Sequence, residues 1–114
     1  MAEIVKNSDG KVVAGIGYDV IYSTLHIDSL ALDSSLRKTP EGRRILGQMA
    51  KRIGEIASDQ GCSSIVCSVV GPAKGLNRLY ESVGFKPQIS IPGALTRMEV
   101  PVQDFIANIE RLAK

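Results

Sequence analysis

Apolar and polar residues alternate from Thr24 to Leu32, a period of two that places Leu25 and Ile27 on one face of a strand and His26, Asp28 and Leu30 on the other. Two shorter apolar segments precede it, Glu3 to Lys6 and Lys11 to Val20. They flank Asn7-Ser8-Asp9-Gly10, whose Asp-Gly pair predicts a β-hairpin. After Thr39 the period changes. Ile45, Met49, Ile53 and Ile56 form one helical stripe, with Lys51, Arg52, Glu55 and Asp59 off it. Thr39 suits the cap of this helix, Pro40 its first position and Glu41 the positive end of its dipole, while Gly61 closes it.

The run Ser64 to Val70 is continuously β-forming and predicts a strand buried on both faces. Gly71-Pro72 ends it, and a short helix is expected from about Ala73 to Val83. In Leu79-Tyr80-Glu81-Ser82-Val83-Gly84-Phe85, Gly84 can take the left-handed conformation at the helix end and Phe85 leads back into the sheet. Tyr80 is left on the last turn, with a hydroxyl that donates at neutral pH. Pro87 to Ile91 and Leu95 to Val100 read as strands on either side of Pro92-Gly93-Ala94. Val102, Phe105, Ile106, Ile109 and Leu112 predict an amphipathic terminal helix that covers the core or forms an interface. The order β-β-β-α-β-α-β-β-α implies an α/β (α+β) domain built on a mixed sheet.

A chain of 114 residues with 44% hydrophobic and 23% charged residues has the composition of one globular domain without a linker. No apolar run approaches the roughly 20 residues of a membrane span, and Met1-Ala2-Glu3 lacks a signal-peptide profile, so a soluble, cytoplasmic protein is expected. Cys62 and Cys67, with His26 as the one histidine, do not make a metal shell, so no metal is expected. The charge is uneven. Arg37 to Arg52 holds six Lys or Arg against the single Glu41, a local net of +5, at the start of a helix whose free N–H groups favour an anion.

The element order and the Leu79 to Phe85 run resemble the GNAT superfamily of acyl-CoA N-acyltransferases; Asp9 to Gly15 and Ser29 to Leu32 add support. The resemblance implies a mostly antiparallel sheet with helices on both faces. It also implies that the parallel strands around His26–Leu32 and Ser64–Val70 splay apart to admit acetyl-CoA. By the same resemblance, Tyr80 protonates the departing thiolate, and the backbone at Leu30, Ala31 and Leu32 holds the oxyanion and pantetheine. Arg37, Lys38, Thr39, Gly42, Arg43 and Gly47 lie at the phosphates. His26 and Asp28 match positions that deprotonate the amine in some members, and an i, i+2 pair on a strand shares a face.

Two departures stand out. Aligned by helix length, Gly42, Ile45 and Gly47 occupy the places of the family's R/Q-x-x-G-x-G/A phosphate loop, and only the last matches. Ala73 replaces an asparagine often found before the tyrosine, while Asn77 sits within the helix. The chain also resembles a single domain, residues 1–114, that begins at about the family's second strand. It would thus lack the first strand and two helices that wall the acceptor side, leaving an open groove suited to a protein or peptide amine or completed by a homodimer partner. The function expected is acetyl transfer from acetyl-CoA to an amine. The alternative is a catalytically reduced module that binds or inhibits a partner, possibly phage-encoded. A nucleic-acid role finds little support, because aromatics for stacking are few.

Overall fold

A computed structural model describes residues 1–70, 80–91 and 95–112. Gly71-Pro72, Ala73, Asn77, Leu79 and Pro92-Gly93-Ala94 lie outside them. Six strands form one sheet: β1 (Ala2–Lys6), β2 (Val12–Ile21), β3 (Thr24–Leu32), β4 (Ser64–Val70), β5 (Lys86–Ile91) and β6 (Leu95–Pro101). Their order in space is β1-β2-β3-β4-β6-β5, antiparallel except for β3 and β4, which run parallel. The crossover between those two is made by helix α1 (Pro40–Asp59), and the chain's last described helix is α2 (Val102–Leu112).

Local chemistry accounts for most boundaries. The Asn7 side-chain carbonyl accepts from the Asp9 and Lys11 N–H groups, and Gly10 takes φ +79°, so the first hairpin turns where the Asp-Gly pair places it. The second hairpin is tighter, because Tyr22 and Ser23 alone join β2 to β3.

The Leu25 and Ile27 face of β3 packs with Ile45, Met49, Ile53 and Ile56 of α1 in one apolar core. Helix α2 lies beside α1 on that same face, with Phe105 and Ile106 against Gly54. The two described long helices thus share one face. Cys62 and Cys67 are buried thiols held protonated by desolvation, Cys67 pushed up to about 12, and no group of possible metal ligands occurs among the described residues.

Strand β1 is tied to α1 by a charge. Arg52 donates to Glu3 through Nε at 2.7 Å and a terminal nitrogen at 3.0 Å, and the Tyr18 hydroxyl approaches the same carboxylate. The bond from Arg52 holds the Glu3 carboxyl below its ordinary value of 4.5. A lowered folded value gives stability that is present above 4.5 and lost as pH falls through the lowered one. Both side chains are partly exposed, so Glu3→Gln should cost only about 0.5–1 kcal/mol at pH 7. In urea melts the gap between the two proteins should close as the pH is lowered below 4.

Candidate active site

Strand β3 pairs with β4 over Thr24–Ile27 and Ser64–Cys67, although both strands continue beyond those positions. From Asp28 to Leu32, β3 keeps β2 on one edge and has no ladder to β4 on the other. The two parallel strands therefore splay, and the backbone of Leu30, Ala31 and Leu32 forms one wall of the opening.

A bulge on β3 coincides with the start of the splay. Gly17 faces Ser29 while Tyr18 faces Ile27, so Asp28 is an inserted residue. The insertion corrects the strict alternation expected from the sequence. Leu30 no longer shares the His26 face but returns to the Ile27 side, where both line a cavity of about 60 Å³ with Tyr80, Met49, Ile53 and Phe85. Asp28 is exposed, His26 is half-buried, and no hydrogen bond joins them among the described residues.

Tyr80 stands over the helix side of this cavity. Residues 80–82 are helical, and the helix ends as the sequence anticipates: Gly84 takes φ +99°, its N–H reaches the Glu81 carbonyl at 3.0 Å, and the Phe85 N–H reaches the Tyr80 carbonyl at 3.1 Å. This is a Schellman closure. Its usual apolar contact is the edge-to-face packing of Tyr80 on Phe85, ring centroids 5.3 Å apart. Phe85 packs in turn on Phe105 of α2, and the Asn108 side-chain amide donates to the Val83 carbonyl at 3.2 Å. The phenol is thus fixed from both directions. Burial, and secondarily Cys67, drives its pKa well above the ordinary tyrosine value, so it keeps its proton at neutral pH.

Tyr80 and His26 lie on opposite faces of the sheet. The splay is the place where a group bound on one face can meet a group on the other.

The start of α1 is less open than its sequence suggests. Thr39 caps it, its hydroxyl accepting from the Gly42 N–H at 3.0 Å and donating to the Leu36 carbonyl at 2.6 Å. The Arg43 N–H is bonded to the Thr39 carbonyl, and Pro40 has none. A Cβ at Gly42 would collide with the Leu36 carbonyl oxygen, so the close approach that glycine permits here is made by the chain itself. Gly47 faces open space.

Lys38 takes a left-handed φ of +62° in the turn leading into the helix. A second register for the phosphate pattern, besides the one beginning at Gly42, runs through that turn. Read from Arg37, the segment Arg37-Lys38-Thr39-Pro40-Glu41-Gly42 supplies the pattern's first and last positions, with proline at the middle glycine. Arg37, Lys38 and Arg43 are exposed and make no ion pair among the described residues, whereas Arg44 pairs with Glu41 at 3.7 Å.

Solved structures share this architecture. An acetyltransferase from Bacillus cereus superposes with a TM-score of 0.73 at 24% identity, over 89% of this chain and 71% of that one. A mutant form of the spermidine/spermine N-acetyltransferase of Vibrio cholerae gives 0.70 at 12% identity, over 93% and 69%. A ribosomal-protein-alanine N-acetyltransferase of Escherichia coli gives 0.65 at 19%, over 84% and 65%. At these identities the likeness speaks for the fold alone. No curated protein matches the sequence. The model of the Acetyltransferase (GNAT) family matches residues 2–85. With most of its length so matched, and with the parallel strand pair described above, the chain belongs to the GNAT family of acetyltransferases.

Proposed function

We propose that the protein transfers an acetyl group from acetyl-CoA to an amine on a protein or peptide, with Tyr80 as the acid. Membership of the family supplies the general chemistry, an acyl-CoA donor and an amine acceptor. The observation that carries the finer reading is the parting of β3 from β4 after Ile27 and Cys67, with a buried, protonated Tyr80 beside it. The thioester lies in the splay, and its carbonyl oxygen takes hydrogen bonds from backbone at Leu30 to Leu32 as charge develops.

The amine approaches from the His26 face, on which no described helix packs. Its nitrogen attacks the carbonyl and the carbon–sulfur bond breaks. The sulfur takes the Tyr80 proton, and the proton lost by the amine passes to His26 directly or through water. Asp28 attracts the cationic form of the amine at the mouth.

Arg37, Lys38 and Arg43 hold the phosphates as charges around the start of α1, because its own cap already engages the Gly42 and Arg43 N–H groups. The decisive experiment is thermal melting with acetyl-CoA, which should raise Tm by several degrees at millimolar concentration. If neither acetyl-CoA nor CoA moves Tm, the partner-binding alternative replaces this reading. Arg43→Ala should weaken CoA roughly fivefold at low salt and less at 0.5 M salt. Isothermal titration at the two salt concentrations measures the difference, and equal affinities would return Arg43 to the solvated helix face.

A further inference from the structure

The apolar stripe of α2 is wider than the core it covers. Val102 and Phe105 are buried, but Ile106 and Ile109 are only half-buried and Leu112 is exposed. Beside them, Ala50, Gly54 and Ser58 recur every four residues along α1, so one edge of that helix carries no large side chain. Between this edge and the Ile106 and Ile109 wall runs a groove of about 670 Å³. From Ala50 to Ser58 it extends about 12 Å, two helical turns.

The rim is charged with one sign in excess. Glu55, Asp59 and Glu110 line it against Lys51, a local net of −2 on a chain of net +2. None of the four forms an ion pair among the described residues. These carboxylates are left to face whatever enters.

We infer that this groove docks a cationic amphipathic helix of another protein. Phe105 and Ile106 already lie against Gly54, so an incoming helix seats in the cleft above that contact: Ala50 and Ser58 leave room at its two ends, Ile106 and Ile109 cover its apolar stripe, and the carboxylates meet lysines or arginines on its flanks. The groove lies on the half of α1 remote from Thr39 and Arg43, and it shares Ala50 and Phe105 with the cavity beside Tyr80. The inference does not depend on the proposed acetyl transfer.

The test uses a labelled 16-residue peptide with leucines at helical spacing and lysines between them, together with its glutamate counterpart, by fluorescence anisotropy at 0.1 M salt. The lysine peptide should bind at least tenfold more tightly than the glutamate peptide. Ser58→Trp, which places an indole over the small-residue row from an exposed position, should abolish binding, and Glu55→Lys with Glu110→Lys should weaken it roughly tenfold. Melting curves confirm that the variants are folded. Equal binding of the two peptides, binding undisturbed by Ser58→Trp, or no binding at about 100 μM, a concentration that reveals any complex tighter than roughly −5.5 kcal/mol, overturns the inference. So does self-association in sedimentation that Ser58→Trp removes, which would make the occupant a second copy of this chain.

Discussion

Tyr80→Phe is expected to lower the rate of acetyl transfer by about 100-fold while changing acetyl-CoA affinity by less than about twofold. The substitution removes one oxygen and keeps the ring, so the packing on Phe85 and the helix closure at Gly84 survive. What disappears is a proton held where water is scarce. Rapid-quench measurement of thiol release separates the effect from binding. The loss should shrink for a thioester with an acidic thiol leaving group, since such a thiolate departs without a proton. Unchanged turnover would remove Tyr80 from the acid role.

The largest effect on stability should come from Gly42→Ala. Its methyl group would be driven into the Leu36 carbonyl oxygen, which belongs to backbone and is held by the Thr39 hydroxyl. Relief would require parting the 3-10 turn Ser34–Leu36 from the start of α1. We expect a loss of about 2–3 kcal/mol, a fall in Tm of roughly 10 °C. Gly47→Ala makes the opposite prediction. Nothing stands within 4 Å of its added carbon, and exchanging glycine for alanine within a helix gains about 0.5–1 kcal/mol. Urea denaturation of the two variants should therefore bracket the parent protein.

The contrast between these glycines shows what the sequence could convey. Signals that act within a few residues were legible: the Asn7 and Gly10 turn, the Thr39 cap, the Gly84 closure and the α1 stripe all stand where local rules place them. The bulge at Asp28 was not, because an inserted residue is defined by its partner strand and leaves strand-like side chains on either side. That single insertion turned Leu30 to the Tyr80 side, as no count of alternating residues within β3 could reveal. Likewise, Gly42 in a basic segment invites an anion, whereas its actual neighbour, the Leu36 carbonyl, comes from a turn whose path depends on the packing of α1. The tyrosine could be singled out from its helix end. Its separation from His26 by the thickness of the sheet follows from strand register.

The hydrogen bond from Asn108 to the Val83 carbonyl carries a practical consequence for handling the protein. It makes the far end of the chain a brace for the residue that would perform the chemistry, although 25 positions of sequence separate donor from acceptor. Trimming α2 as a dispensable tail would remove both that amide and the Phe105 ring, releasing the turn on which Tyr80 is mounted. An inactive shortened version would then report a loosened phenol, and acetyl-CoA affinity measured alongside would tell that fault from a lost cofactor site.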